Sequence, residues 1–433
     1  MLWLFTLFTN NIGMLDINFI RENPEEAKQI LGKKSVDPKL IDKFLRLDTE
    51  WRTKTAALDQ LKSEQNAVSK ELGKTQSEDL LSKAQILKKR VTEIAVERDE
   101  FEKKRDEIFR KFPNPPLDGV PVCPDESGNK VLREIGDIPK FDFQPKDYLE
   151  LGEALGFINV KKAGEVSGSR FGYLMGDVAL IEFALIKLAM DTLTPHGFIP
   201  VIPPVFVKEK TMQAMGYVDR REDMEETYFF EKDGLYLVGT SEQSVGPFHM
   251  GDILNEEELP KRYVSFSTCF RREAGSYGKD TRGILRVHQF DKIEMFSFCK
   301  PEESVKEHEF LLSLEEKLMQ VLKLPYRVIE MCSGDLGNVA AAKYDIEAWF
   351  PSQNVYRETH STSNCTDFQA RRLNIKYRPK GKGEKPKFIH TLNGTAFSQR
   401  PILAIMENYQ TKEGTIRVPE VLQPYIGKKE IGK

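Results

Sequence analysis

Residues Phe270–Glu294 read F-R-R-E-A-G-S-Y-G-K-D-T-R-G-I-L-R-V-H-Q-F-D-K-I-E. The run opens as a strand carrying Arg271 and Glu273, passes through a Gly-rich, charge-rich loop, and closes on an alternating strand predicted over 287–294. Side chains at even spacing on a strand share a face, so Arg271 and Glu273 are expected to point the same way, as are Phe290, Lys292 and Glu294. Arginines hold phosphate oxygens, an aromatic face stacks on a base, and a carboxylate accepts from an amine. The mixture suits a nucleoside triphosphate. A hairpin with a merely solvated charged face would explain the density of charge, but not this order of residue types.

Outward from this run the pattern stays mixed. Residues 179–193 have helical period, while 262–270 and 286–298 alternate as strands. Strand-rich, mostly antiparallel patterning with interspersed helices argues an α+β fold. The alternating Lys and Gly of 380–387 read as an exposed loop between two strands.

The first quarter is different. Phe44, Leu47, Trp51, Lys54, Leu58, Leu61, Gln65, Val68 and Leu72 step by threes and fours. So do Leu80, Ala84, Leu87, Val91, Ile94, Arg98, Phe101, Arg105 and Ile108. Each set is a heptad seam, and the break at 73–77 is a turn, so the segment is expected to fold back as an antiparallel coiled-coil hairpin. An arm of roughly 30 residues reaches on the order of 45 Å. Neither helix has a wide apolar face, so most of the hairpin must project into water. Such an arm serves as a dimerisation element or rigid spacer, or, through Lys70, Lys74, Lys83, Lys88, Lys89 and Arg90 near its turn, as a grip on a phosphate backbone. The Pro-rich stretch Phe112-Pro113-Asn114-Pro115-Pro116 ends it.

Length and composition set the bounds. A chain of 433 residues has room for two or three domains, and 30% charged with 40% hydrophobic residues fits a soluble globular protein. The net charge of −3 does not exclude a nucleic-acid partner, since a local basic patch suffices. Five cysteines, at 123, 269, 299, 332 and 365, show no C-x-x-C spacing. Neither a zinc site nor a disulfide framework is indicated, and free, buried thiols in a reducing cytosol are expected. The apolar start M-L-W-L-F-T-L-F lacks a positive flank and is too short to span a bilayer, so no membrane association is expected.

Five stretches in one order carry a resemblance. Phe270–Glu294 resembles motif 2 of the class II aminoacyl-tRNA synthetases, in the form carried by seryl-tRNA synthetases of bacterial type. G-F-I-P-V-I-P-P-V at 197–205 resembles motif 1, and N-G-T-A-F-S-Q-R-P-I-L-A-I-M-E-N-Y at 393–409 resembles motif 3. Thr240-Ser241-Glu242 is similar to the serine-binding T-S-E of that family, and E-T-H-S-T-S-N-C-T-D-F-Q-A-R-R at 358–372 to its signature before motif 3. Met14 opens a stretch similar to the family N-terminus, so residues 1–13 read as a start-site extension.

The resemblance implies a tRNA-binding domain at 14–112, with its arm at about 40–110, and a class II catalytic domain at 113–433. It implies a cytoplasmic homodimer that joins L-serine to tRNA(Ser), and to tRNA(Sec) where present, through a seryl-adenylate made from ATP with Mg2+ and no zinc. Arg271, Lys292 and Arg400 are implied as catalytic. ATP is implied to be held by Arg271, Arg272, Glu273, Arg286, Val287, Phe290, Glu358, Thr359, His360, Ser361 and Arg400. Arg271 would take the α-phosphate, Glu273 the adenine amine and Phe290 the adenine ring; Arg286 and Arg400 would take the outer phosphates. Glu358 and Ser361 match the Mg2+ positions. Thr240, Ser241, Glu242, Arg271, Glu294, Asn393 and Thr395 match the serine pocket. Lys70, Lys74, Lys83, Lys88, Lys89 and Arg90 would hold the long variable arm of the tRNA.

The chain departs from the family pattern at two places. A-F-S-Q precedes Arg400 in a loop one residue short, where a Gly-rich stretch is usual. Thr362 stands where Cys is frequent and His360 where a small residue is; His360 reads as an exposed residue or as a support behind the site. Two rivals remain. An amino acid:carrier-protein ligase would lack the hairpin at 44–108. A non-catalytic coiled-coil RNA-binding protein would be expected to lose charges that are costly to bury, such as Glu294 and Arg400.

Overall fold

The heptad residues zip two long helices together, α1 (Pro38–Leu72) and α2 (Glu78–Arg110). Asp37 starts the first by accepting from the Lys39 N–H, with Pro38 in the first turn. Leu61 and Val68 meet Leu87 in a narrow buried seam flanked by Leu72, Leu80, Ala84, Val91 and Ile94. Polar seam positions find partners: Lys54 Nζ lies 2.6 Å from Glu97, and the Arg105 guanidinium lies 4.1 Å over the Trp51 ring. Phe44 packs on Phe109 and Phe112 at the base. The computed structural model describes residues 14–75, 77–274, 280, 282–381 and 383–432. The expected extension at 1–13, Gln76 in the expected turn, residues 275–279 and 281 of the expected loop, and Lys382 lie outside these.

The chain divides into two compact units, Leu15–Pro113 and Asn114–Lys433, the second including Met14. The second unit is built on an eight-stranded sheet. In chain order its strands are β1 (Lys130–Ile135), β2 (Phe198–Val201), β3 (Lys261–Phe270), β4 (Gln289–Cys299), β5 (Tyr326–Glu330), β6 (Ala342–Phe350), β7 (Val355–Asn364) and β8 (His390–Ser398). Their order in space is β1-β5-β6-β7-β8-β4-β3-β2, antiparallel except for β2 beside β3. Alternation along β4 sends Ile293 and Met295 into the core, with α3 (Gly176–Leu193), α4 (Ser304–Val321) and α5 (Arg400–Asn408). Ile181, Leu185, Leu311, Leu318, Ile402 and Met406 close over them. Phe290, Lys292 and Glu294 face a cavity on the other side. Among the described residues no helix is long and apolar enough to cross a membrane.

Three sequence expectations are corrected. β3 ends at Phe270, so Arg271 and Glu273 lie in the loop that follows, and Glu273 takes a left-handed φ of 51°. Their backbone partners explain it: Arg271 N–H still donates to His288, its neighbour across the ladder, but His288 N–H donates to Arg170 and Arg272 N–H to Glu226, so the ladder stops there. The second strand starts at Gln289 rather than Val287, because His288 N–H donates to Arg170. Finally, only Cys269, Cys299 and Cys365 are buried thiols, whereas Cys123 and Cys332 form a disulfide with Cα atoms 5.9 Å apart. The two lie 209 residues apart, and it is the fold that brings 121–129 against 332–335, through Ser333 N–H to Pro121 O and Cys332 N–H to the Asn129 side chain.

Candidate active site

A cavity of about 540 Å³ opens on the sheet face opposite the core helices. Two β-bulges shape its floor. Against β4 the bulge in β8 leaves Ala396 unpaired; against β6 the bulge in β7 leaves Thr359 unpaired. Simple alternation would put Glu358 and Ser361 on opposite faces, three residues apart. The extra residue resets the parity, and both line the cavity together with Thr359.

One end is a cluster of carboxylates. Glu294 Oε2 accepts from the hydroxyls of Thr240 and Ser241 and from the Glu242 N–H, and its Oε1 lies 2.6 Å from Lys292 Nζ. Burial disfavours its charge, but Lys292 and these donors outweigh burial and hold it below the usual carboxylate range. Glu242 has the opposite fate. Burial first, then the charge of Glu294, push it up to about 7, against donors from Tyr217 and Gln369 at 2.6 Å each. Asn393 and Thr395, on the adjacent β8, complete this end.

The other end is cationic. Arg271 crosses the Phe290 ring at 5.3 Å and donates to the Gly239 carbonyl. Arg286 lies 3.2 Å from Asp280 and 3.5 Å from Glu273. Arg400, at the start of α5, lies 3.0 Å from the Glu358 carboxylate and donates to the Glu358 carbonyl. Burial would raise Glu358, but Arg400, Lys343 and Arg271 outweigh it and hold that carboxyl at about 2. Glu358 is therefore ionised at any physiological pH. Ser361 stands across from Asp345, whose Oδ1 lies 3.6 Å from Lys343 Nζ. An ionised carboxylate beside a hydroxyl is a hard-oxygen donor set that fits Mg2+.

Most of the expected site residues line this cavity: Thr240, Glu242, Arg271, Glu273, Arg286, Val287, Phe290, Lys292, Glu294, Glu358, Thr359, Ser361, Asn393, Thr395 and Arg400. Three stand elsewhere. Ser241 is fully buried behind the wall, bonded to Glu294 and Ser265. Arg272 stacks over Tyr228 at 5.6 Å. His360 is neither exposed nor in the cavity: it is buried in the core, with Nε2 on the Ala396 carbonyl, because its side chain leaves β7 on the far face. On the hairpin, Lys70, Lys74, Lys83, Lys88, Lys89 and Arg90 are all exposed. Sequence reasoning missed Tyr217, Lys343 and the segment Leu336–Ala340, which also line the cavity. The S-G-D-L-G-N run at 333–338 is a loop signal that pointed to the last of these.

Comparison with known proteins agrees along the chain. Residues 14–116 match the seryl-tRNA synthetase N-terminal domain, and residues 228–409 the tRNA synthetase class II core domain (G, H, P, S and T). Serine–tRNA ligase of Rhodococcus jostii (strain RHA1) is 45% identical, covering 96% of this chain and 99% of that protein. The same enzyme of Thermobifida fusca (strain YX) is 44% identical, covering 96% and 98%. Among solved structures, seryl-tRNA synthetase from Pyrococcus horikoshii complexed with ATP is similar with a TM-score of 0.88 at 43% identity, covering 96% of this chain and 99% of that one. The chain therefore belongs to the seryl-tRNA synthetase family of class II aminoacyl-tRNA synthetases, and is a serine–tRNA ligase.

Proposed function

We propose that the chain charges tRNA(Ser) in two steps within this cavity. A serine carboxylate oxygen attacks the α-phosphorus of ATP, pyrophosphate leaves, and the terminal adenosine hydroxyl of the tRNA then attacks the acyl carbon and releases AMP. The observation that carries the reading is the polarity of the cavity. Its carboxylate end, Glu242 and Glu294 with Thr240, Asn393 and Thr395, suits a small zwitterion bearing an ammonium and a hydroxyl. A pocket that bonds the hydroxyl rejects alanine, whose binding would leave those groups unpaired.

The cationic end suits the triphosphate. Arg271 would hold the α-phosphate, with Phe290 beneath the adenine and Glu273 at its amine. Arg286 and Arg400 would hold the outer phosphates, Arg400 from a helix N-terminus where anions are favoured. Lys292 keeps Glu294 ionised and would lie beside the reacting carboxylate. Glu358 and Ser361 would hold Mg2+, which when bound neutralises phosphate charge. Positioning and charge neutralisation are the whole of the catalysis, and no covalent enzyme intermediate is needed.

The exposed lysines and arginine near the hairpin turn would hold the tRNA backbone. Serylation of tRNA(Sec), where present, and a cytoplasmic location follow from the same reading. A homodimer built around 197–205 is supported by Ile199 and Ile202, the latter 86% exposed, an unusual state for a large apolar residue. The test is serine-dependent exchange of pyrophosphate into ATP, followed by charging of tRNA(Ser). Exchange without charging would favour the carrier-protein ligase rival, and neither activity would favour the non-catalytic one.

A further inference from the structure

We propose that Tyr217 and Gln369 are positioning residues that present the Glu242 carboxylate to the ammonium group of serine. The inference rests on the reading of this end of the cavity as the serine pocket. Tyr217 Oη donates to Glu242 Oε2 and Gln369 Nε2 donates to Oε1, each at 2.6 Å. The Gln369 amide cannot turn without loss, because its own oxygen accepts from Thr391 Oγ1 at 2.8 Å. Gln369 and Thr391 are both fully buried. Each carboxylate oxygen is thus held by one donor from the protein side, and its remaining acceptor capacity is left for the cavity that Glu242 lines. An uncharged donor on each oxygen fixes the group without neutralising it, which a lysine or arginine in the same place would do.

The charged and titratable neighbours make the arrangement sensitive to pH. Glu294 and Lys292 face Glu242 from β4, and Cys365 lies beside Tyr217. Burial and Glu294 push Glu242 up to about 7, while Lys292, Tyr217 and Gln369 oppose them. An ammonium is held well only by the ionised carboxylate. Removing either donor therefore raises the pH at which Glu242 ionises and weakens serine binding most on the acid side. Tyr217 is itself pushed well above its ordinary range by burial and by Glu242, so it remains a donor throughout.

The test is serine-dependent pyrophosphate exchange by the full chain between pH 6 and 8.5, for wild type, Tyr217→Phe, Gln369→Met and Glu242→Gln. Tyr217→Phe and Gln369→Met are expected to raise KM for serine roughly tenfold at pH 7, the size expected for loss of a hydrogen bond to a charged group. The acid limb of kcat/KM for serine should move up by roughly one pH unit. KM for ATP should hold, and kcat should change less than KM. Folded variants whose acid limb stays in place, or whose activity falls equally at every pH, would overturn the proposal. Glu242→Gln separates the two levels. If it leaves KM for serine unchanged, the serine-pocket reading fails; if it raises KM while the other two variants do not, only the positioning role fails.

Discussion

At Arg271 charge and geometry can be separated by substitution. Its guanidinium, in the loop just past β3, crosses Phe290 and lines the cationic end of the cavity. A planar fork suits an α-phosphate whose charge redistributes in the transition state, and lysine keeps the charge but loses the fork. Arg271→Ala is expected to slow pyrophosphate exchange by roughly 10²–10³-fold, by analogy with loss of one oxyanion donor, with a smaller change in ATP affinity. Arg271→Lys should also be severely impaired; near-normal exchange by folded Arg271→Ala would remove this loop from the catalytic site. A second residue-scale effect lies in the core. His308 is buried with Nε2 on the Thr362 carbonyl, and burial lowers it to about 4. Its ordinary value is 6.5. The unfolded chain thus binds the extra proton first as pH falls, so the stability from keeping His308 neutral is complete above about 6.5 and is lost toward about 4. Between pH 7 and 5.5 this is worth about 1 kcal/mol. Urea unfolding of His308→Gln at both pH values should show a pH penalty smaller than wild type by that amount; an equal penalty would mean that His308 is not the group responsible.

Among the elements, β4, β7 and β8 make the site, and two of their pairings are irregular. The bulges at Ala396 and Thr359 cost ladder hydrogen bonds, yet without the one at Thr359 Glu358 would face away from Ser361. The hairpin is regular by contrast. None of its seam positions from Phe44 to Leu72 and from Leu80 to Ile108 is exposed, and its basic residues near the turn are exposed rather than committed to the seam. Lys89 has a partner in Glu93 at 3.9 Å, a weak surface pair that a phosphate would readily replace. Changing Lys88, Lys89 and Arg90 together to Ala should weaken tRNA binding and flatten its salt dependence. The log–log slope should fall by roughly 0.7–0.9 of a unit for each phosphate no longer neutralised. An unchanged slope would assign the arm to spacing or dimerisation.

For the whole molecule, separate cores imply separable work. The unit Leu15–Pro113 holds the hairpin with its own buried seam, and every residue of the cavity belongs to the other unit. Deleting Phe44–Ile108 and closing the gap with a short linker should leave serine-dependent exchange within about tenfold, or ~1.4 kcal/mol in the barrier. Transfer to tRNA should collapse. A folded, shortened chain that charges tRNA as well as the full one would end the tRNA-arm reading.

Much of this was legible in the chain itself, wherever the physics is local. The heptad steps set the two long helices, because a seam of period 3.5 buries apolar groups in only one way. Alternation along 289–294 put Phe290, Lys292 and Glu294 on one face, since the pleat has a period of two. The order of Arg, Glu and aromatic types in Phe270–Glu294 marked the run as a candidate nucleotide site before any fold was known. Tertiary structure decided what depends on distant partners. It ended β3 at Phe270, because beyond it His288 N–H bonds to Arg170 and Arg272 N–H to Glu226 rather than along the ladder. It sent His360 into the core and gathered Glu358 with Ser361, because a bulge that no local pattern marks shifts the parity of β7. Tyr217 and Gln369 met on Glu242 from opposite sides along the chain, and Cys123 met Cys332 across 209 residues. Such meetings are set by how sheet and loops pack, which spacing along a chain does not encode.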